Sequence, residues 1–373
     1  MSESLEELRA RIDELDASVV RTLNERVALA ARIGEAKARE DLPVVDPARE
    51  EEVLQRSADR NEGPFPAGAL RRIFREIISA SVRLQRAVSV AFLGPEATFT
   101  HQAALEVFGS SADFHAYRTI RDLLRAVESG GVDYGVVPVE NSIQGSVYDT
   151  LDGLVGAPLR ILSEHYLAIE HCLLAGCSRE EIRRVYSRDQ ALGQCQGWLS
   201  RNLPEAEQVE TQSTARAVEI AAGEKGAAAI ASRLAAAAFG LAVLERGIQD
   251  QRRNHTRFLV VTRPENQPPG DGRGREGKTS LVLSVPDRPG SLRQVLHPFD
   301  EYGINLSRLE SRPSRLRPWD YLFFVEFSGH EEDPTVAGVL GQLRAQCPFF
   351  QVLGSYPAAP GLDGAGSPAD LPR

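Results

Sequence analysis

SLEELRARIDELDASVVRTLNERVALAARIGEAKAR, residues 4–39, reads as one helix, and two cations within it decide what kind of helix it is. Leu8, Ile12, Leu15, Val19, Leu23, Ala30 and Ile33 recur at helical spacing and mark a face to be buried. At about 100° per residue, Arg26 and Lys37 fall inside that apolar stripe. A charge left unpaired there would cost several kcal/mol. The pattern therefore describes an anion pocket within a helical bundle. Arg26 and Lys37 stand eleven residues, or three turns, apart on one line of the helix. Arg9 points about 100° away from Arg26. At 1.5 Å per residue the helix is about 50 Å long, too long for the two helices that follow to cover. Its stripe is expected to pair with a second copy, whose pocket Arg9 would reach.

Those two helices supply the rest of the pocket. Asp46-Pro47 reads as an N-cap with Pro at the first helical position. Glu50 then sits at the positive end of the helix dipole. Gly63-Pro64-Phe65-Pro66 breaks this helix, and a third runs from about Ala67 to Ala87, with Leu70, Ile73, Ile77 and Leu84 on its inner side. Ser81 and Gln85, one turn apart, border that side. The set is three cations, two carboxylates, a hydroxyl and an amide, without a nucleophile–base pair. It suits a reaction driven by positioning and charge stabilisation. The competing interpretation is a dimerisation bundle with internal salt bridges such as Lys37 to Glu50.

With 373 residues, the chain has room for two or three domains. Its net charge of -9 argues against nucleic acid as a partner. No apolar run is long enough to span a bilayer, and the acidic helical start lacks a signal-peptide pattern, so the cytoplasm is expected. Cys172, Cys177, Cys195 and Cys347 form no CxxC pair. His171, Cys172 and Cys177 lack the second pair that a tetrahedral metal site needs, and read as buried thiols beside a satisfied histidine. Free thiols and no metal are expected.

Beyond residue 88 the texture changes. Residues 89 to about 265 alternate strands and helices, from Val88–Leu93 through Tyr134–Val139 to Arg257–Thr262, with Ala215–Leu241 read as an Ala-rich helix. This predicts an α/β domain with a mostly parallel sheet. Asn266–Gly277, rich in Gly, Pro and charge, reads as a linker. After it, apolar alternation and helical spacing give the order β-α-β-β-α-β, a ferredoxin-like unit. The tail from Pro357 is expected to be disordered.

Three segments of the α/β block carry chemistry. Gly94–Thr100 is a strand-turn-helix junction whose backbone amides suit a carboxylate, or an ordinary βα connection. Glu140, Asn141 and Ser142 follow a buried strand, as site residues or as N-caps. Asn254-His255-Thr256-Arg257-Phe258 opens a late strand, where His255 reads more readily as a surface turn residue.

ELRARIDELD, LNERVALAARIGEAK, PVVDPAREEEVL and FREIISASVRLQ resemble the all-helical chorismate mutase family over its whole length. The resemblance carries Arg9, Arg26, Lys37, Asp46, Glu50, Ser81 and Gln85 onto substrate-binding positions. It implies an intertwined dimer and the rearrangement of chorismate to prephenate. Arg9 and Arg26 would hold the two carboxylates. Lys37 and Gln85 would donate to the ether oxygen, and Glu50, with the backbone near Asp46, would hold the ring hydroxyl. GPEATFT, GVVPVENSIQGSV, YSRDQALGQCQGWL and IQDQRRNHTRFLVV stand in the order found in prephenate dehydratases. That resemblance implies a site between two α/β subdomains, in a fold like that of periplasmic binding proteins. Thr256 leads the site, with Glu140, Asn141, Ser187, Gln194, Arg257 and Phe258 around the substrate. Thr256 would assist departure of the hydroxyl, directly or through a relayed proton. Arg257 would orient Thr256 or hold the retained side-chain carboxylate. The family often has His-Pro where Arg188-Asp189 stand here, and Gly where Ala97 stands.

The last unit resembles the ACT regulatory domain, which implies an amino-acid ligand at Gly290, Ser291 and Leu292 and at Glu310, Ser311, Arg312 and Pro313. Together the resemblances imply a mutase domain at 1–88, a dehydratase domain at 89–265 and an ACT domain at 278–356. They imply conversion of chorismate through prephenate to phenylpyruvate, inhibition by L-phenylalanine, a homodimer or higher oligomer, and no cofactor. The rivals are a dehydratase whose helices only dimerise, and a non-catalytic amino-acid sensor.

Overall fold

A computed structural model describes residues 3–251, 253–269, 277–314 and 321–359. The chain divides into two compact units: Met1–Val88 together with Phe108–Asp113, and the remainder.

The first unit is three helices. α1 (Leu5–Arg39) opens with a capping box in which Ser4 and Glu7 bond each other's backbone amides. α2 (Pro47–Asp59) is capped by Asp46, and α3 (Ala67–Gln85) follows the Pro-rich break. The stripe on α1 read as buried is open within the chain: no α1 residue is buried, and Leu15 is 61% exposed. The reason is length. Helices of 13 and 19 residues cannot cover one of 35.

The second unit carries three sheets. β1 (Ser89–Leu93), α4 (Phe99–Phe108), β2 (Asp113–Tyr117), α5 (Ile120–Glu128), β3 (Tyr134–Asn141), β4 (Gly145–Ser146), α6 (Tyr148–Leu154) and β5 (Arg160–Ala168) build the first lobe. β6 (Cys172–Ala175), β7 (Arg184–Ser187), α7 (Asp189–Gln194), α8 (Gln196–Asn202), β8 (Glu207–Glu210), α9 (Thr214–Gly223), β9 (Ala227–Ala231), α10 (Arg233–Phe239) and β10 (Ala242–Glu245) build the second. β11 (His255–Thr262) returns to the first lobe, giving the orders β2-β1-β3-β11-β5 and β10-β6-β9-β7-β8.

Two expectations are corrected here. Both sheets are mixed: in the first, β11 re-enters from the other lobe and runs antiparallel to both β3 and β5, and in the second, β6 runs antiparallel to β10 and β9. The Ala-rich stretch is two helices around a strand: β9, AAAIA, is buried at every residue between β6 and β7. Alanine favours helix only weakly, and burial on both faces overrides it.

β12 (Gly277–Ser284), α11 (Ser291–Glu301), β13 (Leu306–Pro313), β14 (Tyr321–Ser328), α12 (Pro334–Gln346) and β15 (Phe350–Pro357) form the expected β-α-β-β-α-β unit. Its antiparallel sheet runs β13-β14-β12-β15. β15 lies against β5 of the first lobe, and a Cβ at Gly354 would come 2.4 Å from the Ile161 carbonyl oxygen. Glycine is required for that approach. Pro357, where the tail was expected to begin, still pairs in β15 with Gly277. The tail beyond residue 359 and the linker at 270–276 lie outside the described residues.

Candidate functional site

In the helical unit, Arg26 Nη1 donates to Ser81 Oγ at 2.8 Å, and Ser81 Oγ donates to the Ile77 carbonyl at 2.7 Å. Lys37 Nζ donates to the Val44 carbonyl at 2.8 Å. Among the described residues neither cation has a carboxylate in salt-bridge contact. Burial draws Lys37 below its ordinary pKa against the opposing charges of Asp46 and Glu50, and burial lowers Arg26 likewise. Gln85 packs against Gly34 of α1, where a Cβ would come 2.6 Å from Gln85 Cγ; its buried Oε1 has no partner among the described residues. Gly34 thus brings the Gln85 amide onto the same helix that carries Lys37, one turn away.

Glu50 bonds Arg75 Nη1 at 2.7 Å rather than Lys37. Burial pushes its carboxyl above the ordinary range, opposed by Arg75. Asp46 receives the Arg49 amide as N-cap at 2.9 Å. Arg9 is exposed and about 25 Å along α1 from Arg26 at 1.5 Å per residue, so this chain does not bring it to its own pocket. Arg75 was missed by sequence reasoning. At 100° per residue it falls between the buried Ile78 and Ser79 on α3, so the test that singled out Arg26 finds it too.

In the α/β lobes, the strand pair β3–β11 sorts the predicted residues by face. Thr256 pairs with Asn141, and Arg257 with Glu140. Successive residues of a strand point to opposite faces. Asn141 Nδ2 donates to Thr256 Oγ1 at 2.9 Å. Asn141 Oδ1 accepts the amides of Ile143 and Gln144 at 3.0 and 3.1 Å, which fixes the direction of that side chain. Gln194, at the end of α7, takes Asn254 Nδ2 at 2.9 Å and His171 Nε2 at 2.8 Å on its Oε1.

The other face does something different. Arg257, expected at the substrate, is buried and bonds Glu164 of β5 and Glu326 of β14, each at 2.7 Å, and the Tyr356 hydroxyl at 3.1 Å. Burial and Tyr356, with Glu326 and Glu164, act on its charge; the carboxylates prevail and raise its pKa above the ordinary value. Lys278 closes on Glu164 at 2.7 Å. Glu140 lies 3.6 Å from Arg308 and 3.9 Å from Arg257. Arg257 and Glu140 therefore face the third sheet, because they alternate with Thr256 and Asn141.

Ser187, expected around the substrate, is fully buried and donates to the Ile230 carbonyl at 2.6 Å, binding β7 to β9. Phe258 is a core residue of β11. Ala97 holds φ 62°, the left-handed region, which accounts physically for glycine at that position in the resembled family. Arg188 stands before α7 without a side-chain cap bond, and Asp189 opens its first turn.

In the β-α-β-β-α-β unit, Gly290 has φ 83° at the start of α11, and the buried Ser291 Oγ has no partner among the described residues. Leu292 is half-buried beside them. On β13, Glu310 accepts Ser146 Oγ at 2.5 Å and Arg308 at 2.6 Å. Arg312 lies 3.2 Å from Asp152 and 3.9 Å over the Tyr148 ring. Ser311 and Pro313 are exposed. The motif expected to bind ligand as a block is divided: Glu310 and Arg312 grip the first lobe, while the alternate residues face away from it.

Family models match three segments of the chain: chorismate mutase type II at residues 8–86, prephenate dehydratase at 90–266 and the ACT domain at 279–345. A bifunctional chorismate mutase/prephenate dehydratase of Aquifex aeolicus is 46% identical over 362 residues, 96% of this chain and 99% of that protein. One from Neisseria gonorrhoeae is 41% identical over 367 residues, again 96% of this chain and 99% of the relative. Among solved structures, a prephenate dehydratase in complex with L-Phe from Arthrobacter aurescens is 36% identical with a TM-score of 0.67, covering 73% of this chain and 90% of that one.

Proposed function

The chain belongs to the bifunctional chorismate mutase/prephenate dehydratase family, and on that premise we propose how its own residues carry the two reactions. It is an enzyme that rearranges chorismate to prephenate and converts prephenate to phenylpyruvate. We assign the first reaction to residues 1–88, the second to 89–265 and regulation to 278–356.

For the rearrangement, Arg26 and the partner subunit's copy of Arg9 hold the substrate carboxylates. Lys37 and Gln85 donate to the ether oxygen as its bond breaks. Two half-buried cations without carboxylate partners among the described residues, beside the buried Gln85 Oε1, support this. Protein hydrogen bonds held in place before reaction lower the barrier without reorganisation. Glu50, held by Arg75, and the backbone near Asp46 take the ring hydroxyl. The dimer rests on the exposed apolar stripe of α1, with Ile12, Leu15 and Val19 each more than half exposed.

For the dehydration, the bond to the ring carboxylate breaks and its electron pair enters the ring. The C–O bond then breaks, CO₂ is released, and the departing hydroxide takes a proton to leave as water. Thr256 donates a hydrogen bond to that hydroxyl. The observation that carries this is the contact from Asn141 Nδ2: it makes Thr256 Oγ1 an acceptor from the protein, so its own proton is left for substrate. Gln194 borders the same site.

L-phenylalanine binds where Gly290 leaves backbone open and Ser291 offers a hydroxyl without a partner among the described residues, with Leu292 beside them and Ser311 and Pro313 assigned as its further contacts. Glu310 and Arg312 act as the link to the first lobe. The four unpaired cysteines suit the cytoplasm.

The test feeds chorismate and prephenate separately to the full chain. Thr256→Ala is expected to lower phenylpyruvate formation about 10²- to 10³-fold, the scale of one lost transition-state donor, with mutase turnover intact. Lys37→Ala is expected to do the reverse. Equal loss of both activities in either variant refutes the assignment.

A further inference from the structure

Behind Thr256 lies a line of side chains in which Asn141 and Gln194 are half-buried at the site and Asn254 and His171 are buried behind them. Asn141 Nδ2 donates to Asn254 Oδ1 at 2.8 Å as well as to Thr256. Asn254, 1% exposed, passes its own Nδ2 to Gln194 Oε1. His171, 3% exposed, donates from Nε2 to that same oxygen. The backbone adds to the arrangement. Ile169 N bonds the Asn254 carbonyl at 2.8 Å, and Ile248 N bonds the His171 carbonyl at 3.0 Å, so both residues sit on the two segments that join the lobes.

The direction of every bond in this line is determined. The amides of Ile143 and Gln144 require Asn141 to present its oxygen to them and its NH₂ to Thr256 and Asn254. Asn254 must then present its oxygen to Asn141 and its NH₂ to Gln194. Gln194 Oε1 therefore accepts, and His171 must carry its proton on Nε2. The Nδ1 that remains is buried without a partner among the described residues, and burial lowers the pKa of the ring, in keeping with a neutral imidazole. Phe99 contacts the ring edge-on with centroids 5.5 Å apart. An imidazole is an expensive filler for such a space unless its N–H is used.

We propose that His171 and Asn254 are positioning residues for the dehydration. His171 anchors Gln194 at one end, the Ile143 and Gln144 amides anchor Asn141 at the other, and Asn254 is the link between them. Together they hold Thr256 Oγ1 as an acceptor from Asn141, which aims its proton at the departing hydroxyl. Neither residue touches substrate. The proposal rests on Thr256 meeting that hydroxyl.

The experiment measures kcat and KM for prephenate in the full chain, with urea unfolding of the same samples as the control for folding of the second unit. His171→Leu keeps the volume and removes the donor. His171→Gln restores an N–H near the position of Nε2. Asn254→Asp keeps the shape and the acceptor but cannot donate to Gln194. We expect His171→Leu and Asn254→Asp to lower kcat about 10- to 100-fold, the scale of a misplaced reacting group, with KM within about threefold. His171→Gln should recover to within about fivefold of the parent. Full kcat in His171→Leu or Asn254→Asp overturns the proposal, as does a His171→Gln variant no better than His171→Leu. Should His171→Leu fail to fold, Asn254→Asp and His171→Gln decide by the same criteria. Full turnover in Thr256→Val would instead remove the role of Thr256, separately from what the His171 series shows.

Discussion

Replacing Arg257 with methionine should destabilise the second unit by about 3 kcal/mol, because it strands two carboxylates that were buried in its company. The side chains of Arg257, Glu164 and Glu326 are 5%, 1% and 8% exposed. Removing one member of such a set typically costs about 3–5 kcal/mol. The lower end applies because Glu164 keeps Lys278 at 2.7 Å and Glu326 keeps Arg308 at 3.7 Å. Urea unfolding of parent and variant measures the difference, and the pH dependence adds a second reading. Burial alone would raise the Glu326 carboxyl, but Arg257 outweighs it and the net pKa is lowered. A depressed carboxyl stabilises the fold above its unfolded value, about 4.3, and that contribution is lost as pH falls through the folded value. The parent should therefore lose stability on acidification below about pH 4, and the variant should lose less over the same range. A loss under about 1 kcal/mol at neutral pH, or an acid limb unchanged by the substitution, would refute the view of Arg257 as the centre of this cluster.

Gly34→Ala should reduce mutase turnover about tenfold or more while leaving the dehydratase unaffected, since its Cβ would come 2.6 Å from Gln85 Cγ and displace the amide; steady-state kinetics on each substrate checks this. Arg312→Ala removes the contacts to Asp152 and the Tyr148 ring, so phenylalanine should still bind, by calorimetry, while inhibiting the dehydratase less. Undiminished inhibition would remove Arg312 from the link.

Much of this architecture was legible because its signals are periodic. Two cations in an apolar stripe drew attention to the helical segment that the chorismate mutase family model matches, and alternating apolar residues located the third sheet. The failures share a cause as well. The β9 strand is five residues of AAAIA, and no local pattern separates a short strand buried on both faces from helix. Sheet direction depends on β11 coming back from another lobe, which is a tertiary fact. Glu140 and Arg257, brought in by motif matching, alternate with Asn141 and Thr256 and so face the third sheet, a placement that a motif does not show. Asn254 was legible only as part of the segment around Thr256, and His171 only as a satisfied histidine, since which side chain each one meets is a tertiary fact.

The glycine at 354 has a practical bearing on how regulation can be studied. Because β15 presses its bare backbone on Ile161, and Arg257 shares its carboxylates with both sheets, shortening the protein ahead of Gly277 would open a wound across the catalytic lobe. Activity lost by such a fragment would measure exposed charge and apolar surface, not release from feedback. Single substitutions along β13 leave that seam closed, and are the cleaner instrument.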